Sequence, residues 1–261
     1  MAISIHNASC VSPKAQIGES VSVGPFTVIE DDVVIGSGTT IGANVLVANG
    51  ARIGKECRIH HGAVLSTPPQ DLKFRGEVTT LEVGDHTIIR EYVTLNRGTN
   101  ERWKTTIGNH CFIMAYAHVA HDCSVGNHVI LANAVNMGGH VVIEENAVVG
   151  GVVAIHQFSH IGRHSMIGGG FRVTKDVPPY VLAGQEPLAF NGLNVVGLRR
   201  RNFTPEAISA LEQAYRFIYR SKLNVSQAIG KIQSELPQTD EIKNVIEFIQ
   251  KSKRGIIWTR R

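Results

Sequence analysis

The stretch IGNHCFIMAYAHVAHDCSVGNHVILANAVNMGGHVVIEENAVV, residues 107–149, decides the fold. Every sixth residue in it is aliphatic: Ile107, Ile113, Val119, Val125, Leu131, Met137, Ile143 and Val149. A period of six matches neither an α-helix, at about 3.6 residues per turn, nor a plain strand, at about two. It suits a short strand that turns a corner every six residues, with the aliphatic residue and a small companion four positions later facing inward. Three such sides close a triangular coil of 18 residues, and successive coils stack as parallel strands about 4.8 Å apart.

Outward from this stretch the phase holds. It runs from Ile5 to Leu65, resumes at Val83, Ile89 and Leu95, and continues past Val149 to Val173. All 26 marker positions are aliphatic; were each apolar with the roughly one-half frequency of ordinary domains, the chance would be on the order of 10⁻⁸. Some eight coils make a prism roughly 40 Å long, each burying its face only against its neighbours, as in a solenoid. Gly follows the marker at positions such as 18, 24, 108 and 126, which is expected to allow the bend. Residues 66–82 and 96–106 interrupt the pattern for whole multiples of six. They read as loops thrown out without loss of register, and loops on a rigid scaffold are where binding residues concentrate.

After DVPPYV, residues 176–181, the period stops. Thr204, Pro205 and Glu206 form a helix start, and Ile208, Leu211, Tyr215, Ile218 and Tyr219 then follow helical spacing. The expected organisation is a β-helical domain over 1–190 and a small helical domain over 191–261. Charge divides the same way. Residues 1–190 hold 13 Lys and Arg against 16 Asp and Glu, while 191–261 hold 13 against 6. A basic C-terminal segment favours an anionic partner.

Four Cys and no CxxC pair argue against a disulfide scaffold or a zinc ribbon. No stretch approaches the roughly 20 apolar residues that span a bilayer, and no leader is recognised, so a protein of a reducing cytosol is expected, with no integral membrane segment. Cys57, Cys111 and Cys123 occupy the small inward position and read as core fillers rather than nucleophiles.

His121 lies two after Val119, in an outward position, and is followed by Asp122. One coil further along stands Gly139, and one more brings Gln157; by the same count Asp122 stacks against His140. One side of the prism therefore gathers His118, His121, His140 and His156. A neutral imidazole takes a proton from a hydroxyl near pH 7, a carboxylate fixes its tautomer, and a backbone N–H at Gly139 would stabilise an oxyanion. Adjacent strand residues point to opposite faces, so only a corner would bring Asp122 to His121. Zinc is the competing reading, with His118, His121 and a further His as ligands.

These motifs, together with PQDLK at 69–73, HQF at 156–158, and GLNVVGLRRRNF followed by AYRFIYRS, resemble the acyl-carrier-protein–UDP-N-acetylglucosamine O-acyltransferase family nearly end to end. The resemblance implies a mainly β fold, a left-handed parallel β-helix of hexapeptide repeats with a small C-terminal α-helical domain, assembled as a homotrimer with sites between neighbouring prisms. It implies the first step of lipid A synthesis, without cofactor, metal or nucleic acid: transfer of an (R)-3-hydroxyacyl chain from acyl carrier protein to UDP-N-acetylglucosamine. His121 would be the general base, Asp122 its orienting partner and Gly139 the oxyanion donor. Asp71, Lys73, His118, His140, His156 and Gln157 would line the sugar and acyl site. Asn194, Arg200 and Arg201 would hold the nucleotide, and Gly169 would leave room for the acyl tail.

The chain departs from the family at Asn96, where His is usual, and at Val196, where an acidic residue is common. The first leaves open a 2,3-diamino sugar acylated on nitrogen. A zinc protein like the γ-class carbonic anhydrases and a non-catalytic module that binds the carrier protein are the other two readings.

Overall fold

Short strands that turn every six residues build a closed coil only if each side pairs with the same side of the next coil. The computed structural model of the protein describes residues 3–259 and shows this arrangement; residues 1 and 2 of the expected β-helical domain and residues 260 and 261 of the expected helical domain lie outside the described residues. Its 28 strands, most of two residues, form three sheets of 11, 9 and 8 strands. The first sheet begins with Ser4–Ile5, the second with Cys10–Val11 and the third with Gln16–Ile17. Every pairing is parallel except the last in the first sheet, between Val181–Gly184 and Ala189–Leu193. Register follows the count of 18: Ile5 faces Val23, Val119 faces Met137 and Val125 faces Ile143.

The aliphatic markers fill the prism; Ile89, Ile113, Val119 and Leu131 are fully buried. Small companions complete each layer and tie it to the next. Thr27 Oγ1 donates to the Gly42 carbonyl at 2.7 Å and accepts from Val45 N–H at 3.2 Å. Cys57, Cys111 and Cys123 are buried companions, and burial pushes the thiols of Cys111 and Cys123 up to about 11 and about 12.

The glycines after the markers have a different role from the one expected. The left-handed backbone needed at the corners falls two residues later, mostly on other residue types, as at Asp122 (φ 58°), His140 (φ 62°) and Phe158 (φ 62°). Gly108 instead sits against the next coil, where a Cβ would lie 2.6 Å from the Gly126 carbonyl carbon. Close stacking, not bending, excludes a side chain there.

The two interruptions are also shorter than their sequence limits. Strands Val64–Thr67 and Thr80–Val83 flank the first, and Thr94–Asn96 and Lys104–Ile107 the second, leaving residues 68–79 and 97–103 as loops. Both leave the second sheet and rejoin the third, so they emerge from one edge of the prism.

Four helices follow among the described residues: α1 (Val195–Arg200), α2 (Pro205–Arg220), α3 (Val225–Glu235) and α4 (Asp240–Lys251). Thr204 caps α2 as its sequence predicts, accepting from Ala207 N–H at 3.2 Å; the short α1 was not apparent in the apolar spacing. The helices cover the end of the prism, as a solenoid requires. Buried Tyr215 of α2 donates to the Pro179 carbonyl at 2.6 Å. Buried Asp176 accepts from His160 N–H at 2.9 Å and from Ser252 Oγ, just past α4, at 2.6 Å.

Candidate active site

The edge that carries both loops also carries the candidate base. His121 follows the strand His118–Val119, and the positive φ of Asp122 turns that side chain back toward its neighbour. The corner overrides strand alternation. His121 Nδ1 and Asp122 Oδ2 are 2.9 Å apart. Asp122 is fully buried and accepts from Thr99 Oγ1 at 2.6 Å, Thr99 N–H at 3.0 Å and Arg102 N–H at 3.2 Å. Burial alone would push its carboxyl up; the hydrogen bonds from Thr99 and His121 outweigh that and hold it below the usual carboxylate range. An ionised Asp122 keeps the His121 proton on Nδ1 and leaves Nε2 free to accept.

Gly139 lies against the other side of this ring. A Cβ there would be 2.7 Å from Nε2. Among the described residues nothing accepts a hydrogen bond from the Gly139 amide. His140, on the next corner, is buried, with Nε2 3.8 Å from Asp122 Oδ2 and 3.5 Å from Glu101 Oε2. Its ring stacks on Phe158 with centroids 4.4 Å apart and meets His121 edge-on at 5.2 Å. Burial lowers the affinity of His140 for a proton, against the pull of Asp122 and Glu101. His118 pairs through Nδ1 with Thr94 Oγ1 at 2.7 Å, and burial and then His121 push it down as well.

His156 and Gln157 are exposed further along the same edge, His156 Nδ1 lying 2.9 Å from the Gln157 carbonyl. Asp71 and Lys73 sit in the first loop, where Asp71 Oδ1 accepts from Lys73 N–H at 2.9 Å. The other candidates lie elsewhere. Gly169 is exposed on the edge between the first and second sheets. Asn194 caps α1, accepting from Gly197 N–H at 3.2 Å and donating to the His164 carbonyl at 3.0 Å, on the edge between the third and first sheets. Arg200 and Arg201 are exposed just beyond, Arg201 within electrostatic reach of His128 and His164. One chain therefore distributes the candidates over three edges.

Comparison with known proteins shows the family of the chain. The hexapeptide-repeat model of bacterial transferases matches residues 14–49, 34–67 and 104–139, and the second-domain model of UDP-N-acetylglucosamine O-acyltransferase matches 176–257. The chain is 44% identical over 254 residues to the acyl-[acyl-carrier-protein]–UDP-N-acetylglucosamine O-acyltransferase of Thiobacillus denitrificans, covering 97% of this chain and 98% of that one. Among solved structures it is similar to the UDP-N-acetylglucosamine acyltransferase of Bacteroides fragilis, with TM-score 0.95, 45% identity and coverage of 97% and 99%. The Acinetobacter baumannii structure gives TM-score 0.94 at 41% identity, with the same coverage. The chain belongs to the UDP-N-acetylglucosamine O-acyltransferase family. Its prism is accordingly a left-handed parallel β-helix.

Within this acyltransferase family frame, the departures have clear surroundings. Asn96 is buried opposite Thr67, donating to Thr67 Oγ1 at 3.0 Å and to the Pro68 carbonyl at 3.2 Å, while its Oδ1 has no partner. Val196 is exposed. Among the described residues of one chain, the ligand atoms that lie within 4.8 Å of one another are those of His121, Asp122 and His140, a set without His118. Asp122 oxygens already receive four donors, which fills a carboxylate's lone pairs. Thr99, Arg102, Glu101 and Phe158 are the residues that sequence reasoning missed. The length of the second loop, which returns Thr99 and Arg102 to Asp122, carries no periodic signal.

Proposed function

We propose that this chain transfers an (R)-3-hydroxyacyl group from acyl carrier protein to the 3-hydroxyl of UDP-N-acetylglucosamine, the first step of lipid A synthesis. The observation that carries the reading is the imidazole of His121, oriented by buried Asp122 on one side and lying against the unpaired amide of Gly139 on the other. His121 Nε2 takes the proton of the sugar hydroxyl as its oxygen attacks the thioester carbonyl. The Gly139 amide donates to the oxyanion. Collapse of the tetrahedral intermediate breaks the carbon–sulfur bond, and the imidazolium returns the proton to the departing thiolate. No acyl-enzyme forms. Base and oxyanion donor would supply about 10²–10⁴-fold and about 10²–10³-fold respectively.

His118, His140, His156, Gln157, Asp71 and Lys73 share the edge with His121 and would contact sugar and acyl chain. Asn194, Arg200 and Arg201 would hold the nucleotide, and Gly169 would face the acyl tail. Their placement on other edges of the chain supports a homotrimer in which one prism completes its neighbour's site. The acidic carrier protein suits the basic segment after residue 190, and a cytoplasmic location suits both substrates; no helix among the described residues is long and apolar enough to cross a membrane.

The test is turnover of (R)-3-hydroxyacyl carrier protein with UDP-N-acetylglucosamine and, in parallel, its 3-amino analogue, with the product bond read by mass spectrometry. An ester on oxygen supports this acceptor; an amide alone would assign the amine, which the partnerless Oδ1 of Asn96 could accept from. Light scattering at the monomer mass would remove the shared-site account.

A further inference from the structure

One edge of the prism holds a cluster that the reaction does not use. Between the third and first sheets, corner residues Glu56, His86, His110 and His128 follow one another coil by coil, all at positive φ (51°, 56°, 54° and 57°). Backbone bonds from His86 to Lys55, His110 to Asp85 and His128 to Asn109, at 2.8, 2.8 and 2.9 Å, set their spacing. The exposed rings of His86 and His110 stack face to face, centroids 4.8 Å apart and planes 5° from parallel; His110 and His128 repeat this at 4.9 Å and 4°. Glu56 Oε2 lies 3.3 Å from His86 Nδ1.

We propose that His86 and His110 chelate a divalent transition-metal ion of the copper, nickel or zinc class, with Glu56 orienting His86. Imidazole suits these metals, and a carboxylate facing one ring nitrogen turns the other outward as a ligand. Metal–nitrogen bonds of about 2.0–2.1 Å need the two nitrogens roughly 3 Å apart. Tilting two solvent-exposed rings together from their stack achieves that with the backbone fixed. His128 lies beyond reach of an ion held by His86. The Glu56 carboxylate adjoins His86, whereas His128 has no carboxylate in ion-pair contact among the described residues. The site stands on a different edge from His121, Asp122 and His140; it shares its edge with Asn194, with His110 three coils before the His164 that Asn194 bonds.

Cu²⁺ is the probe, since nitrogen sites bind it most tightly among first-row divalent ions. The untagged full chain is titrated calorimetrically, and the nitrogen hyperfine structure of bound Cu²⁺ is read by electron paramagnetic resonance. Asn tolerates positive φ and already occupies this column at position 146 (φ 61°), so Asn replaces each His without loss of fold. The expected result is two-nitrogen ligation that weakens tenfold or more in His110→Asn and in His86→Asn, and persists in His128→Asn and His121→Ala. Unchanged binding in His110→Asn overturns the proposal. So does loss in His121→Ala alone, which would move the ion to the catalytic edge.

Discussion

The α-carbon of Gly139 faces the imidazole of His121 so closely that a Cβ would lie 2.6 Å from ring Cε1 and 2.7 Å from Nε2. A methyl group there must displace the ring, and a ring at the end of a side chain moves cheaply. Gly139→Ala is therefore expected to melt within a few degrees of the parent while kcat falls about 100-fold or more, because the base leaves its line of attack. Steady-state kinetics beside a melting curve checks this. Wild-type kcat in a folded Gly139→Ala protein would show that the contact has no part in the reaction.

His121→Ala is expected to keep the fold and lose about 10²–10⁴ in kcat/KM. Asp122→Asn separates orientation from structure. The amide keeps one acceptor oxygen, which can hold the Thr99 and Arg102 N–H groups as Oδ1 does, but its NH₂ in place of Oδ2 cannot accept from Thr99 Oγ1 or from His121. The second loop loosens at a cost of about 1–3 kcal/mol, and His121 loses its tautomer control. Both stability by urea unfolding and activity should fall in Asp122→Asn, and only activity in His121→Ala. Equal stability in the two variants would contradict the clamp.

Acid should destabilise the fold well before carboxylates protonate. Burial, then Arg201 and Arg163, push His164 from its ordinary 6.5 to about 4, while its ring stacks on Tyr180. Between those values the unfolded chain binds a proton that the folded chain refuses. The stabilising contribution is thus complete above pH 6.5 and is lost as pH falls toward about 4, at most about 3 kcal/mol. His118, His128 and His140 are lowered in the same direction. Urea unfolding at pH 7.5 and pH 5 measures the slope, and His164→Phe should flatten it. An equal slope in that variant would assign the effect elsewhere.

Arg200 is exposed, in the last turn of α1. Arg200→Ala should leave the melting temperature unchanged and raise KM for the sugar nucleotide about tenfold or more, the worth of a charge-assisted hydrogen bond. An unaltered KM would remove Arg200 from the site.

The prism is legible from the residues because its core repeats: an aliphatic side chain every six positions is buried by a coil of that period, and the count of 18 alone places His121 against Gly139 and Asp122 against His140. The helix beginning at Pro205 was equally plain from its cap and apolar stripe. What the periodicity did not contain were interactions made by non-repeating segments. The return of Thr99 and Arg102 to Asp122 depends on the path of a loop, and the glycines proved to serve stacking because contact between coils is a property of the assembled solenoid. Sequence by itself determined the coil, its register and the coil-to-coil placement of His121 against Gly139. Only tertiary structure decided that the carboxylate is buried and ionised, and that the candidates lie on three separate edges, since both depend on groups distant in the chain that meet only after the prism closes.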